Sequence, residues 1–517
     1  MEEEARSWLI PTSIFILFFF LKYILHQIHG KHKNLPPSPP SLPIIGHLHL
    51  IKQPLQQSFH SLAQKYGHMV FLKLGTRKAL VVSSPAAVEE CLTKTNDIIF
   101  ANRPRTLASK NLNYDSKTVG FASYGDHWRN LRRLTTVELF STNRLAMLES
   151  VREEEVQFLV KQLFQECCNG GQTQKSKVEV RPKFVGVAFN MMLRMISGKR
   201  YYGNDIDEDG KEFQTLMREF TALQGASIND FIPILKWIDF QGVEKKMVEV
   251  MKRADSFFQK LIDEHRRNYE SVSNESKMDK NMKLNLIDVM LELQQKEPEF
   301  YTDETIKGVI LAMLIAGSET SAITMEWTVS LLLNNPQKMK KLQHEIQTYA
   351  GHDQLLNESN AAKIKYLQNV ITETLRIYPV APLLIPHESS TDCKVCGYDI
   401  PKGTMLFVNL LTLQRDPNLW ADPMEFVPER FEGDGGGEVC YNMIPFGAGR
   451  RACPGAGLAK RITAHALGAS IQCFEWQKVE DGEVDMTEEI GLSLPKAEPL
   501  FAYCKPREEM MNILSNI

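Results

Sequence analysis

The residues best suited to chemistry in this chain lie in one short stretch near its C-terminal end. Residues 445–455 read Pro-Phe-Gly-Ala-Gly-Arg-Arg-Ala-Cys-Pro-Gly, with three glycines, two arginines and one cysteine. Glycine at this density indicates a backbone that turns tightly or approaches another group closely. Cys453 is followed by a proline and an apolar run, so we expect it where a loop enters a helix. A helix N-terminus and a nearby arginine both favour a thiolate, which predicts an electron-rich sulfur.

Two interpretations of this cysteine are open from these residues alone. A thiolate in a glycine-rich loop suits the axial ligand of a haem, whose carboxylates need a cation such as Arg451. The alternative is a buried structural cysteine in a glycine-rich turn, and a cysteine taken alone favours that alternative. The rest of the chain has to decide between them.

The pattern of the stretch resembles the haem-binding signature of cytochrome P450 monooxygenases. Its five fixed positions are all filled, by Phe446, Gly449, Arg451, Cys453 and Gly455. The resemblance implies a P450 fold, mainly α with small β-sheets (α+β), and a heme b cofactor. It also implies that Cys453 is the metal ligand and that the cofactor is contacted by three neighbours: Phe446, Gly447 and Arg451.

A long apolar helix is predicted in the middle of the chain. Residues 303–333 contain no proline, Thr302 or Asp303 can cap their start, and a proline at 336 ends the pattern. The centre, residues 316–321, reads Ala-Gly-Ser-Glu-Thr-Ser, and polar groups in a buried helix are costly unless paired. One interpretation is a structural kink, with the Ser and Thr hydroxyls bonded back to carbonyls.

The functional interpretation of this centre rests on a second resemblance, to the oxygen-activation motif of the same family. By that resemblance Thr320 and Glu319 are catalytic, Thr320 through a hydrogen bond to the activated oxygen and Glu319 as a proton relay. The small residues Ala316 and Gly317 would let the haem lie against the helix backbone.

Three further residues are expected at the cofactor. Trp128 and Arg132 are four residues apart and share one helical face, and in the family such a pair meets a haem propionate. His387 stands where the family often has arginine; it can donate a hydrogen bond but is weaker as a fixed charge. A structural salt-bridge set, with no catalytic role, is expected from Glu373, Arg376 and Arg430.

The composition narrows the class of function. The chain has 517 residues, 24% of them charged, and a formal net charge of −3, which gives no argument for binding nucleic acid. Nine scattered cysteines argue against a disulfide framework and for a reducing compartment. The Cys393-x-x-Cys396 pair has no second Cys/His pair nearby, so we interpret it as part of a hairpin and not as a zinc site.

The N-terminal residues predict a membrane anchor. Trp8–Ile28 is almost wholly apolar, and as a helix it would span about 31 Å, close to a bilayer core. A signal peptide is the alternative, but the preceding segment is acidic and no small-residue cleavage site follows. Basic residues after the span favour the cytosolic side. We therefore expect a single-pass endoplasmic reticulum protein with a cytosolic catalytic domain.

Three parts are predicted along the chain. Residues 1–30 form the anchor, a single N-terminal transmembrane helix. Residues 31–47 are rich in proline and predict a stiff, extended hinge. Residues 48–517 form the haem-thiolate catalytic domain.

The resemblance extends from the anchor to the cysteine loop and implies a microsomal monooxygenase of the plant type. O2 supplies the inserted oxygen, and NADPH–cytochrome P450 reductase supplies electrons, since the chain has no flavin or nicotinamide motif. We expect a small lipophilic, aromatic substrate of flavonoid or isoflavonoid type. Three phrases look closest to plant isoflavone and phenylpropanoid hydroxylases: residues 100–105, 125–129 and 448–455.

Other activities stay open at this point. A methylene-bridge-forming oxidase or a terpenoid hydroxylase would use the same site. A haem-thiolate isomerase or dehydratase can dispense with the Glu319 and Thr320 relay, and a non-catalytic haem-binding membrane protein would turn over no substrate. Substrate contacts are expected from five mostly apolar segments: Leu107–Phe121, Phe213–Leu223, Met313–Thr320, Val380–Ile385 and Gly491–Leu494.

Overall fold

The computed structural model describes residues 12–20, 22, 34–168, 175–203, 208–274, 285–433, 441–489 and 491–517. Residues 12–20 are helical. The helices of the body are α1 Leu55–Tyr66, α2 Pro85–Leu92, α3 Lys94–Ile99, α4 Leu107–Asn111, α5 Asp126–Leu134, α6 Thr142–Met147, α7 Glu149–Cys167, α8 Val180–Ser197, α9 Glu208–Ala222, α10 Pro233–Trp237, α11 Val243–Asn274, α12 Leu286–Lys296, α13 Asp303–Gly317, α14 Glu319–Asn334, α15 Pro336–Ala350, α16 Glu358–Ala361, α17 Lys365–Ile377, α18 Leu410–Gln414, α19 Ala456–Cys473 and α20 Met511–Leu514.

Three small sheets accompany the helices. Their strands are β1 Met69–Leu74, β2 Arg77–Val82, β3 Ser176–Glu179, β4 His387–Glu388, β5 Cys393–Val395, β6 Tyr398–Ile400, β7 Thr404–Val408, β8 Phe474–Lys478 and β9 Phe501–Pro506. The largest sheet has the order β1-β2-β7-β4, with β2 and β7 parallel and the other pairs antiparallel. The other two are β3-β9-β8 and the hairpin β5-β6. The expected mainly α fold with small sheets is confirmed, as is the hairpin at Cys393.

The central apolar helix is built as two segments. α13 ends at Gly317 and α14 begins at Glu319, with Ser318 between them at φ −97° and ψ −68°. The Thr302 side chain caps α13 by accepting from the amide of Thr305, as expected. Residues 303–334 are long and apolar enough to cross a membrane, but most of this stretch is buried inside the protein. It is therefore a core helix, and it is interrupted at its centre, as the kink interpretation of residues 316–321 expects.

The predicted N-terminal span Trp8–Ile28 lies mostly outside the described residues. Within it, residues 12–20 are helical and carry exposed phenylalanine and isoleucine side chains. The proline-rich segment is described from residue 34, where it lies against the body. The Asn34 carbonyl accepts from the amide of Asp399 at 2.7 Å, and the Pro37 carbonyl accepts from Phe71 at 2.9 Å.

A buried ion-pair group connects α17 to the chain that leads to the cysteine loop. The guanidinium of Arg376 donates to both oxygens of Glu373, at 2.6 and 2.8 Å, and both side chains are fully buried. Arg430 donates to the same carboxylate at 3.2 Å, and so does the amide of Val427 at 3.0 Å. This geometry confirms the structural role expected of the set.

Candidate functional site

The cysteine loop is held by short backbone hydrogen bonds and by glycine. The amide of Cys453 donates to the carbonyl of Phe446 at 2.8 Å, and Gly447 donates to Ile444 at 2.9 Å. Gly449 has φ +65°, and a Cβ built on it would lie 2.0 Å from the carbonyl oxygen of Leu92. Only glycine fits there, because α2 lies directly against the loop. The predicted position of Cys453, just before a helix, is confirmed, since α19 begins at Ala456.

The Cys453 side chain is accessible although protein atoms surround it on most sides. Burial raises the pKa of the Cys453 thiol above its usual range. The amides of Gly455 and Ala456 and the charge of Arg132 act in the opposite direction without reversing it. The amides at the helix start and a nearby arginine thus favour the thiolate, as expected, while burial opposes the charged form. A metal cation bound to the sulfur would supply the remaining stabilisation of the thiolate.

The central helix is mostly buried, but it has a solvent-accessible residue at the break between α13 and α14. Ala316 is exposed although most of the residues around it in α13 are buried. The Thr320 hydroxyl donates to the carbonyl of Ala316 at 2.6 Å, and Ser321 donates to Gly317 at 3.3 Å. The structural interpretation, hydroxyls bonded back to carbonyls, is thus correct, and Ala316 of the same stretch is exposed. The buried hydroxyl of Ser318 has no partner among the described residues.

Gly317 lies against α8 and not against the cleft. A Cβ built on Gly317 would come within 2.8 Å of the sulfur of Met192. Close packing between two helices therefore accounts for the glycine. Of the two small residues at the break, Ala316 is the exposed one.

Glu319 has an electrostatic environment different from that of its neighbours. Burial raises the pKa of Glu319 above its usual range, and the Arg181 charge and a hydrogen bond with Thr221 oppose that rise. Thr221 belongs to α9, and Arg181 to the start of α8. Glu319 is thus a half-buried carboxyl that keeps its proton to a higher pH than a free glutamate.

Three arginines and one histidine form a cationic cluster, which we define as Arg103, Arg132, Arg451 and His387. None of the three arginines is paired with a carboxylate in the part of the chain that the structure describes. Burial and, to a smaller extent, the charge of Arg132 together lower the pKa of Arg451 to about 9. Three neighbouring guanidinium groups without an acid form a site for an anion.

Backbone carbonyls satisfy part of this cluster. Arg451 donates to the carbonyls of Ala101 at 2.7 Å, Val119 at 3.3 Å and Ala122 at 2.5 Å. Its guanidinium also lies 4.3 Å from the ring centre of Trp128, whose indole donates to Val119 at 3.1 Å. Three of the five N–H groups of Arg451 are therefore used within the protein, and two are left for a ligand.

Arg132 differs from Arg451 because its guanidinium makes no hydrogen bond or ion pair with the described residues. Burial lowers the pKa of Arg132, and the only nearby group that acts in the opposite direction is the Cys453 thiol. Trp128 and Arg132 are on one face of α5, as predicted, and α5 brings that face to the cysteine loop.

His387 is buried and neutral. Its Nδ1 lies 2.8 Å from the carbonyl oxygen of Phe100, so Nδ1 carries the proton that it donates. Burial, together with the charges of Arg103 and Arg451, holds the pKa of His387 well below its usual range. The remaining Nε2 is then an acceptor, and it donates to a carboxylate only after a second proton binds. His387 can therefore act as the expected donor only when a bound anion brings about protonation of Nε2.

Arg103 is the residue that sequence reasoning missed. It is buried, and it donates to the carbonyls of Gly120 at 3.1 Å, Ile385 at 2.6 Å and Pro386 at 3.0 Å. Its segment had been noted only as a phrase shared with plant hydroxylases. The available signal was an arginine directly before a proline and two residues after the apolar pair Phe100–Ala101, a place where a charge needs a specific partner.

These features fit a haem. The accessible thiol offers an iron ligand, exposed Ala316 offers a small-residue wall, and the cationic cluster offers donors to two carboxylates. The described residues contain no group of three or more metal-ligating side chains that would form an alternative metal site. Phe446 and Gly447 lie in the same loop as Cys453, where the ring of Phe446 is half-buried.

Comparison with known proteins agrees with this geometry. The family model described as "Cytochrome P450" matches residues 36–503. Cytochrome P450 81Q32 of Catharanthus roseus is 46% identical, with 98% of this chain and 99% of that protein covered. Isoflavone 3'-hydroxylase of Medicago truncatula is 44% identical (94% and 95% covered), and (+)-piperitol/(+)-sesamin synthase CYP81Q2 of Sesamum radiatum is 43% identical (99% of each).

A solved structure has the same fold. A zebra fish cytochrome P450 matches with a TM-score of 0.72 and 24% identity, and 88% of this chain and all of that chain are covered. The likeness extends to nearly the whole of the body, so the site described above lies within the shared fold.

We predict that Arg132→Met weakens haem retention without weakening the protein itself. The guanidinium has no partner among the residues that the structure describes, so its removal breaks none of the hydrogen bonds described and relieves repulsion with Arg451. Loss of one charge-assisted bond to a propionate should speed haem loss by about tenfold or more. Haem transfer to apomyoglobin measures the rate, and urea unfolding of the haem-free protein measures stability.

The matched control is Arg450→Met. Arg450 is adjacent to Arg451 but is paired with Asp97 at 2.8 Å, outside the cationic cluster. Its removal should leave haem transfer unchanged. Equal rates of haem loss in R132M and wild type would show that Arg132 does not hold the cofactor.

Proposed function

The chain belongs to the cytochrome P450 family and is a haem-thiolate monooxygenase, and from this premise we propose that it hydroxylates a flavonoid- or isoflavonoid-like secondary metabolite. The family uses O2 and a redox partner and acts on small lipophilic substrates. The observation that carries the proposal is the pairing of an anion-binding cationic cluster with an accessible thiol and a half-buried proton-holding carboxyl.

Cys453 is the residue we assign as the axial ligand of heme b. It is the accessible cysteine of a loop whose amides, from Gly455 and Ala456, point at the sulfur. Cys393, by contrast, lies in strand β5, and burial raises the pKa of Cys393 to about 11. When bound, the haem supplies the activation of dioxygen, and the thiolate raises the electron density that this chemistry requires.

The cationic cluster positions the cofactor. Arg132 and the two free N–H groups of Arg451 are assigned to the propionates, together with Arg103 and, once protonated, His387. Trp128 is assigned to the cofactor site through its ring, which lies against the Arg451 guanidinium. Phe446, Gly447 and Ala316 bound the space beside the macrocycle. Because Arg103 and Arg451 are already fixed by carbonyls, little side-chain entropy is lost when the carboxylates bind.

Glu319 and Thr320 are assigned to proton delivery. Burial raises the pKa of Glu319, which favours the protonated carboxyl, and Glu319 lies one residue from Thr320 on the first turn of α14. The Thr320 hydroxyl donates to the Ala316 carbonyl and so presents its oxygen lone pairs to the cleft. A proton held at Glu319 can then move toward a group that accepts it beside Thr320.

The substrate assignment rests on the relatives and on the apolar character of the segments around the cleft. The isoflavone hydroxylase among the relatives acts on an aromatic ring system. Two of the expected contact segments are joined, since the amide of Leu494 donates to the carbonyl of Val380 at 2.8 Å. The indole of Trp327, on α14, donates to the Leu494 carbonyl at 2.7 Å and fixes that loop against the core.

A methylene-bridge-forming oxidation is the second candidate. The observation that favours it is the 43% identity with a (+)-piperitol/(+)-sesamin synthase over nearly all of both chains. The two reactions share the cysteine loop, the cationic cluster and the relay, and they differ only in the substrate placed in the cleft.

Membrane attachment and the reductase complete the proposal. Exposed apolar residues of the body collect at one end, in a set we call the apolar patch: Leu42, Ile44, Ile234, Trp237 and Ile238. The β1–β2 turn joins its two parts, because the Gly75 amide donates to Ile45 and the Thr76 amide to Phe231. Two residues of the patch, Leu42 and Ile44, belong to the proline-rich segment, which supports single-pass attachment to the endoplasmic reticulum membrane, with NADPH–cytochrome P450 reductase as donor and a cytosolic catalytic domain.

Product analysis tests the substrate assignment. Microsomes that carry this protein and a plant reductase are supplied with flavonoid, isoflavonoid, lignan and terpenoid candidates and NADPH. We expect a product heavier by one oxygen atom from an isoflavonoid or flavonoid. A lignan product that has lost two hydrogens would establish bridge formation instead, and turnover of terpenoids alone would contradict both.

The ligand assignment predicts different results for two cysteines. Cys453→Ser should abolish the thiolate-type carbon monoxide difference spectrum, because a serine oxygen does not supply the same electron density. Cys393→Ser, the matched control, should leave it intact. Survival of the spectrum in C453S would show that another residue binds the iron.

The relay assignment predicts a dependence on pH. Glu319 is protonated below its raised pKa, so product formed per NADPH should fall as pH rises through that value. Glu319→Gln should remove this dependence and lower turnover by roughly 100-fold. Glu304→Gln, an exposed acid on the adjoining helix, is the control. Wild-type turnover and pH profile in E319Q would contradict the relay.

The membrane assignment predicts that Trp237 inserts among lipids. Its side chain is 88% exposed, so it has no protein environment of its own. Phospholipids brominated on their acyl chains should quench tryptophan emission in the full-length protein, and the quenched fraction should fall in Trp237→Phe. Trp420→Phe is the control, and equal quenching in wild type and W237F would contradict the placement.

A further inference from the structure

Two aromatic rings lie face to face in the core. The rings of Trp327, on α14, and Tyr378, directly after α17, are 3.8 Å apart between centres and 5° from parallel. Lys496 lies over the Trp327 ring at 5.0 Å, and Arg415 lies over the Tyr378 ring at 5.2 Å. Rings this close admit no group between them, so each cation covers the outer face of its ring. We call these four side chains the ring stack.

The cation at one end of the ring stack is itself buried. Lys496 is 1% exposed, and Trp327 is fully buried. The Lys496 ammonium donates to the carbonyl of Asp485, and the face of an indole attracts a cation more strongly when both are out of water. Burial lowers the pKa of Lys496, and the carboxylate of Glu326 opposes that shift. The position of Lys496 is therefore fixed by the indole and by the chain around it.

A hairpin contacts the ring stack at both ends. Its two arms, residues 487–489 and 495–497, are joined by two backbone hydrogen bonds of 2.9 Å. Glu488 of the first arm lies opposite Lys496 of the second. The Glu488 carboxylate accepts from Arg415 at 2.6 Å. One arm thus reaches the stack through Arg415, and the other supplies Lys496 directly.

The ring stack also connects two of the segments that we expect to contact the substrate. The segment between the arms of the hairpin ends at Leu494, whose carbonyl accepts from the Trp327 indole at 2.7 Å. The Leu494 amide donates to the carbonyl of Val380 at 2.8 Å. Val380 begins another expected segment and comes two residues after Tyr378. One indole therefore holds one segment by a hydrogen bond and packs on the ring that precedes the other.

The second arm has further attachments that do not involve the indole. The carboxylate of Glu326, which is fully buried, accepts from the amide of Leu500 at 3.0 Å and from Arg181 at 2.6 Å. Arg181 also donates to the carbonyl of Lys496 at 2.7 Å. Loss of the indole N–H should therefore release the segment that ends at Leu494 while the arm itself stays in place.

We propose that Trp327 is a positioning residue that sets the relative placement of segments 380–385 and 491–494 and so determines which position of the substrate is oxidised. The inference rests on the proposed function, because it takes both segments as substrate contacts. Trp327 acts through the Leu494 carbonyl and through the ring of Tyr378, so it selects the orientation of the substrate from outside the cleft. A change at Trp327 should alter selectivity and leave the cysteine loop and the cationic cluster intact.

The test compares Trp327→Phe with Trp476→Phe in the full-length holoprotein. Phenylalanine keeps a ring that can pack on Tyr378 but lacks the N–H group that holds Leu494. Trp476 is the matched control, since it is also buried and its indole also donates to a backbone carbonyl, that of Ser470, at 3.2 Å. It lies on β8, outside both substrate segments.

Three readouts are used: hydrogen exchange of the 491–496 amides, spectral titration with two haem ligands, and the regioisomers formed from one unhydroxylated isoflavone. W327F should speed the exchange and weaken binding of phenylimidazole, the bulky ligand, by about tenfold each. Binding of imidazole, the small ligand, and the carbon monoxide spectrum should be unchanged. The ratio of hydroxylated regioisomers should shift in W327F, and W476F should match wild type throughout.

Two results would overturn the proposal. One is a W327F protein with wild-type exchange, wild-type phenylimidazole affinity or a wild-type product ratio. The other is a W476F protein that changes as W327F does, or a loss of imidazole affinity equal to that of phenylimidazole, either of which would indicate general loosening. If W327F does not fold, Lys496→Met removes the cation from the same ring and keeps the indole N–H, and it is read by the same criteria.

Failure of the proposed function gives a different result. If the wild-type protein turns over no isoflavone, the substrate assignment fails, and exchange and ligand affinity still decide whether Trp327 positions the two segments. Isoflavone turnover with unchanged exchange and affinity in W327F would refute the positioning role alone.

Discussion

The uncompensated positive charge of the cationic cluster is the constraint on which the site depends. Removing a guanidinium from water costs several kcal/mol unless other groups replace the lost solvation. Here backbone carbonyls replace it at Arg103 and Arg451, three for each, and they come from the 101, 119–122 and 385–386 segments. These segments are therefore held around the cations before any ligand binds. Arg132 receives no such compensation, and two carboxylates are the complement that the cluster lacks.

A second buried charge group shows what full compensation looks like. Glu373 accepts from Arg376, Arg430 and the Val427 amide, and Arg376 spends its remaining donors on carbonyls of Gln414 and Pro423, both at 2.8 Å. These ion pairs have a structural role, and the Arg376 guanidinium has no N–H group left to bind a ligand. The Glu373 group has all its donors and acceptors paired, whereas the cationic cluster has donors left unpaired. This difference distinguishes a structural ion pair from a binding site better than the residue types do.

Short-range pattern was enough to predict the cysteine loop, the break residues 316–321 and the Glu373 set, because each is a compact motif whose spacing carries its meaning. Features that depend on distant partners could not be predicted. Arg103 meets a carbonyl 282 residues away, and Arg451 meets one 350 residues away. The direction of Gly317 depends on Met192 of α8, and the tautomer of His387 depends on the Phe100 carbonyl. The burial of Cys453 and the charge of Arg132 on α5 both act on the pKa of the thiol, and neither can be read from the residues next to the cysteine.

The two halves of the central helix explain how one element can be both core and cleft wall. α14 is buried almost all round, and Trp327 anchors it to the Leu494 loop. α13 ends at Gly317, which packs beside Met192 of α8, and the buried hydroxyl of Ser318 has no hydrogen-bond partner among the described residues. An unsatisfied buried hydroxyl costs on the order of 1–3 kcal/mol. The break places the carboxyl of Glu319 at the first turn of a new helix, where it meets Thr221 of α9. Thr221 belongs to Phe213–Leu223, one of the segments expected to contact the substrate, so the carboxyl assigned to proton delivery is connected directly to a segment assigned to substrate binding.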